Sequence, residues 1–243
     1  MMNQYYNFLF AVFPYMAVIV FIVGSVYRYR TSPFQVSSLS SQFLEGKSLF
    51  WGSVPFHIGI LFLFFGHLAA FLFPKSVLAW NNQPWRLLIL EASALIFALS
   101  FLIGLFHLFI RRVTHPRLNV VTNKMDILIE VLLFVQGIFG CWVALGFRWG
   151  SSWFASTLSP YLWSLVQLNP KVDAVSAMNW VIQVHIFGAF LILLLFPFTR
   201  LVHMLVAPLH YLARSYQRVI WYWDRKSIRN PLTAWCVKRP KNN

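Results

Sequence analysis

The sequence predicts an all-α membrane protein of five transmembrane helices, N-terminus outside and C-terminus cytoplasmic. Three observations predict it. Hydrophobic residues make up 59% of the 243 and charged residues only 11%, against about 25% charged in a soluble domain. Five apolar runs, near 5–27, 53–73, 87–110, 127–147 and 181–204, reach the roughly 20 residues that a bilayer crossing needs. Basic residues cluster by loop: an external N-terminus places 16 inside and four outside, as the positive-inside rule requires.

The first run, from Phe8 to Tyr27, is too long for the apolar region of a signal peptide and reads as a retained span. The second carries His57 and His67. The third ends at Arg111-Arg112 and the fourth holds Glu130 and Gln136. Residues 148–180 then form an external segment with Trp149, Trp153, Trp163 and Trp180, broken at Ser159-Pro160 and Asn169-Pro170. These breaks exclude a sixth span. They bracket a short helix over Tyr161–Leu168, lying either in the membrane interface or as part of an ordered loop. The fifth run holds His185 and His203, with Pro197 between them. Residues 1–204 thus form one transmembrane domain. Residues 205–243 form a basic amphipathic tail suited to partner subunits or to inner-leaflet lipid.

Several function classes are excluded early. The net charge of +14 lies in loops between apolar runs, so it is a topology signal and not a nucleic-acid surface. Cys141 and Cys236 are the two cysteines, without paired spacing, which gives this chain no iron–sulfur or zinc site. No internal repeat supports an inverted-repeat transporter.

The chemistry concentrates in four histidines. An imidazole in an apolar helix is costly unless it is paired or bound to a metal. Spans 2 and 5 run in opposite directions, so depth pairs His57 with His203 on the inner side and His67 with His185 on the outer side. Two histidines on each of two helices fit two bis-histidine haems of the b type. Ten residues separate the pair in span 2, about 15 Å along a helix, and eighteen in span 5, about 27 Å. Tilt, histidine side-chain reach and a kink at Pro197 can absorb some of the mismatch. Gly59, Gly66 and Gly188 admit close approach of either a flat macrocycle or a neighbouring helix. His107, His115 and His210 lack an opposite partner and are not ligand candidates.

These motifs resemble a known family. Phe56-His57-Ile58-Gly59-Ile60-Leu61 with Gly66-His67, and Leu195-Phe196-Pro197-Phe198-Thr199-Arg200-Leu201-Val202-His203, are similar to the gamma subunit of membrane-bound respiratory nitrate reductase. Phe13-Pro14-Tyr15, Ser40-Ser41-Gln42, Arg111-Arg112 with Pro116-Arg117, and Asp126-Ile127-Leu128-Ile129 also fit. The resemblance implies a five-span dihaem cytochrome b in a bacterial or archaeal cytoplasmic membrane. It would oxidise quinol (menaquinol or ubiquinol) near the outer face. Electrons would pass to an iron–sulfur beta subunit and a molybdenum alpha subunit that reduces nitrate. The resemblance gives the same histidine pairing, proximal for His57 and His203, distal for His67 and His185. It places a quinol pocket at Gly66 and His67, with Arg86 nearest to a lysine of that pocket.

Glu91, on the outer side of span 3, is a candidate proton acceptor for quinol or a structural hydrogen-bonding group. Arg200, Arg111 and Arg112 lie at the inner depth as candidates for haem propionates or for anionic lipid. Alternative functions are the same electron-transfer role in a nitrite oxidoreductase or heterodisulfide reductase, or a haem-free transporter or anchor.

Overall fold

Backbone hydrogen bonding dictates helices here, because a span in lipid must satisfy its own N–H and C=O groups. The computed structural model describes residues 2–32, 47–119 and 121–206. The Ser40-Ser41-Gln42 motif and the basic tail from residue 207, with His210 and Cys236, lie outside the described residues. Five helices are long and apolar enough to cross a membrane: Gln4–Thr31, Ser48–Leu72, Pro84–Thr114, Lys124–Gly146 and Trp180–Phe198, here spans 1 to 5. No strand occurs among the described residues. Large apolar side chains such as Ile19, Ile96 and Ile103 point outward on these spans, as expected of surfaces that face lipid and not water.

Local signals set the ends. Span 3 begins with Pro84 just inside it, where the missing N–H costs nothing, and stops at His115 before Pro116. Span 4 begins with a reciprocal capping box. The Asn123 side chain accepts from Asp126 N at 2.8 Å, and the Asp126 carboxylate accepts from Asn123 N at 3.1 Å. Span 5 begins at Asn179, whose side chain accepts from Val181 N.

Span 2 packs mainly on span 3, while span 5 packs on spans 4 and 1. The span 2–span 3 contact is close because glycines face backbone. A Cβ on Gly59 would lie 2.6 Å from Phe97 O and Phe101 N, and one on Gly104 would run into Phe56 N and Gly52 O. Gly59 therefore serves helix packing, the second of its two expected uses.

The segment between spans 4 and 5 is ordered and packs into the main buried cluster, as the second of its two expected readings requires. Leu158, Tyr161, Leu165, Val172 and Val175 join Phe10 of span 1 and Val181, Ile182 and Ile186 of span 5. Its helix runs Ser159–Val166, starting two residues earlier than expected because Pro160 suits a first turn. Tyr161, 1% exposed, donates to Phe10 O at 2.6 Å, and Tyr15 donates to Leu165 O at 2.9 Å. Burial and the nearby Tyr15 phenol push the Tyr161 hydroxyl above the ordinary phenol range, so it stays a neutral donor. Tyr161→Phe leaves the Phe10 carbonyl without this donor. It should lower stability by about 1–3 kcal/mol, read as earlier thermal unfolding in detergent.

Candidate functional site

His57 and His67 stand on span 2, His185 on span 5 and His203 on the 3₁₀ stretch Arg200–Val206 that follows span 5. Span 2 is held against span 3, and span 5 against spans 4 and 1. At one end the His57 and His203 rings have centroids 6.2 Å apart and planes at 67°. Imidazole–metal bonds are about 2 Å long. Two imidazoles on opposite sides of one metal ion therefore have ring centres roughly 6 Å apart, a spacing this pair fits. At the other end His185 and His67 approach closely enough to interact electrostatically.

Backbone carbonyls fix the tautomers. His57 Nδ1 bonds to Ser53 O at 2.8 Å, His67 Nδ1 to Leu63 O at 2.7 Å and His203 Nδ1 to Arg200 O at 2.6 Å. A carbonyl only accepts, so each Nδ1 carries the proton and each Nε2 presents its lone pair. This is the arrangement of a metal-binding histidine whose second nitrogen is oriented by the chain. His57 and His67 are exposed on an apolar helix, where polar groups are rare and costly. His185 differs. Its Nδ1 is buried without a hydrogen bond, its carbonyl accepts from Gln136 Nε2 at 3.0 Å, and its ring lies over Gly140, where a Cβ would come within 3.1 Å of Cε1.

Span 5 is not one helix to residue 204. Its α-helix ends at Leu195, a 3₁₀ turn covers Phe196–Phe198, and a second 3₁₀ stretch begins at Arg200. Pro197 cannot donate to the helical ladder and stops it. Thr199 restarts it: its backbone is extended (φ −113°, ψ 180°) and its hydroxyl accepts from Leu201 N at 3.3 Å. The eighteen-residue separation is therefore not eighteen residues of straight helix.

The remaining candidates fall into place unevenly. A Cβ added at Gly66 would meet nothing within 4 Å, whereas Gly188 is closed off by Gln136. Phe154 sets its ring edge-on to His67 at 5.3 Å. Phe154 opens a π-helical turn, Phe154–Leu158, a feature frequent beside functional sites. Glu91 accepts from Ser151 N at 2.9 Å and Ser151 Oγ at 2.6 Å, so it anchors the segment that carries Phe154. Arg86 stacks on Trp80 and Trp85 at 5.1 and 5.3 Å.

At the other end Arg200 Nε donates to Asp126 at 2.7 Å, and Arg112 pairs with Glu130 at 3.0 Å and Asp126 at 3.5 Å. Arg111 is buried. Arg112 and Arg200 thus have carboxylate partners within the chain, which the sequence alone did not assign. The signal for Asp126 was available: an Asn followed three residues later by an Asp at the start of an apolar run. Gly140 and Gln136 gave no comparable signal. His107 Nε2 meets Ser48 Oγ of span 2 at 3.1 Å.

Comparison with known proteins agrees in kind and extent. The family profile described as nitrate reductase gamma subunit matches residues 6–222. The respiratory nitrate reductase 2 gamma chain of Escherichia coli is 34% identical over 223 residues, covering 90% of this chain and 98% of that protein. The nitrate reductase gamma chain of Bacillus subtilis is 31% identical, covering 86% and 95%. The respiratory nitrate reductase 1 gamma chain of Escherichia coli is 32% identical, covering 89% and 98%.

Proposed function

The chain belongs to the nitrate reductase gamma subunit family, and on that premise we propose that it is the dihaem cytochrome b of such a complex. It accepts electrons from quinol near the outer face of the cytoplasmic membrane. It delivers them to an iron–sulfur beta subunit, from which a molybdenum alpha subunit reduces nitrate. The observation that carries this reading is the approach of the His57 and His203 rings, with centres 6.2 Å apart, three of the four histidine rings having Nδ1 tied to a carbonyl.

A haem held between two imidazoles supplies reversible one-electron chemistry. The protein's part is placement. His57 and His203 hold the inner, proximal group, and His67 and His185 the outer, distal one. The carbonyls of Ser53, Leu63 and Arg200 lock ring orientation. Open space at Gly66 beside His67, bordered by Phe154, suits a flat quinol ring. Arg86 lies near the start of span 3, on the same side by topology. An external N-terminus puts that end outside, so protons from quinol leave outward while electrons move inward.

The test is a reduced-minus-oxidised spectrum with haem quantification on the purified complex. Two b haems per chain are expected; fewer than two refutes the reading. Glu91 provides a second prediction. As an anchor of Ser151 it keeps its acceptor oxygen in Glu91→Gln, so quinol oxidation should stay within about threefold and keep its pH profile. A general base at this position would lose about 10²–10⁴-fold.

A further inference from the structure

The turn that carries His203 has lost its helical ladder, yet it must hold an imidazole within about 0.5 Å of a productive position. Span 1 braces it. Gly24 lies against Pro197: a Cβ there would come within 2.9 Å of the proline ring. One helical turn later, Arg28 Nη1 donates to Pro197 O at 2.6 Å and to Thr199 O at 2.8 Å. The Pro197 carbonyl lies past the end of the α-helix at Leu195, where no backbone N–H of that helix reaches it, and the Thr199 carbonyl lies at the break before the 3₁₀ stretch that begins at Arg200. The helix dipole also makes this end negative. A guanidinium donating to both carbonyls satisfies the acceptors and complements the dipole at once.

The opposite side of the turn is held as well. Arg200 Nε reaches Asp126 of span 4 at 2.7 Å, and Arg200 Nη2 reaches Val121 O at 3.1 Å. Between these two anchors sits Arg200 O, the acceptor for His203 Nδ1 at 2.6 Å. Thr199 joins them: its carbonyl accepts from Arg28, its hydroxyl caps the stretch with His203, and it is 2% exposed. The path from Arg28 to the His203 ring is therefore a short chain of direct hydrogen bonds and adjacent peptide units. No comparable brace from span 1 reaches His185 among the described residues, and the backbone there is continuous α-helix.

We propose that Arg28 is a positioning residue for His203: by gripping the Pro197 and Thr199 carbonyls it sets the orientation of the proximal axial imidazole. This rests on the reading of His203 as a haem ligand. Arg28 acts on His203 through the broken turn.

The experiment uses the complete complex carrying Arg28→Ala, Arg28→Gln or Arg28→Lys. It follows the low-spin electron paramagnetic resonance signals and the transfer of haem to an excess scavenger protein. Arg28→Ala and Arg28→Gln are expected to shift the signal of one haem and to release that haem about tenfold faster, the size typical of a lost outer-shell contact. The affected haem is the one that His203→Ala removes. The haem that His185→Ala removes keeps its signal. Arg28→Lys, which retains charge and a donor, restores most of the lost retention. Unchanged signals in Arg28→Ala overturn the proposal. So does equal loss of both haems in Arg28→Ala and Arg28→Gln, because that marks a general packing role. If His203→Ala itself removes no haem, the haem assignment fails instead, and the two failures are told apart.

Discussion

His203→Ala is expected to remove one b haem and leave the other in place, and His57→Ala is expected to remove the same one. His67→Ala and His185→Ala should both remove the second haem. The physical basis is that each haem needs two imidazoles, one from each side. The His57 and His203 rings lie with centres 6.2 Å apart. Loss of an outer-shell partner alone costs about 10–100-fold in metal affinity, and loss of a ligand costs more. Quinol-dependent electron delivery should therefore fall by more than about 100-fold in each of the four variants. Optical spectra of purified complexes, with a chemical haem assay, check it. The pairing is refuted if His57→Ala and His203→Ala remove different haems. Nitrate reduction driven by an artificial donor that feeds electrons to partner subunits directly should be spared, showing that the defect lies in this chain.

Gly104→Val should separate spans 2 and 3 and unsettle both histidines of span 2 together. A Cβ at position 104 would collide with the backbone of Phe56 and Gly52. Backbone cannot rotate out of the way as a side-chain tip does. Overpacking of this kind costs about 1–3 kcal/mol and sometimes more, and this contact is the main helix–helix interface of span 2. Because Phe56 precedes His57, the displacement reaches the ligand directly. The expected result is reduced occupancy of both haems and a lower unfolding temperature in detergent. Gly66→Ala is the contrasting control: with nothing within 4 Å, it should leave both haems in place. Selective loss at one haem in Gly104→Val would contradict a shared dependence on this interface.

Much of the site was legible in the chain. His57, His67, His185 and His203 stand out because polar groups are rare and expensive in apolar helices. Their pairing follows from the alternation of helix direction. Five spans follow from run length and charge placement. The mismatch of ten against eighteen residues also announced that span 5 is not a straight helix, and Pro197 marked the place.

Other features were not legible, because they depend on which surfaces meet. Whether Gly59 faces a cofactor or a helix cannot be read along one stretch of sequence; its neighbours Phe97 and Phe101 are on another span. The segment from 148 to 180 carries tryptophans that suit an interface. Its burial instead comes from Phe10 and Ile186, far away in the chain. Glu91, Arg112 and Arg200 were ionisable groups without visible partners, and the fold supplies Ser151, Glu130 and Asp126.

The sequence by itself thus determined the lipid-embedded helical class, the five spans and the identity of the four histidines. Composition and periodicity act locally along the chain, and solvent preference is read residue by residue. Only the tertiary structure decided how the imidazoles are oriented, which carboxylate meets which arginine, and that Arg28 braces the turn before His203. Those outcomes depend on distances of a few ångströms between residues up to 171 positions apart, and hydrogen bonds and ion pairs exist only at such distances.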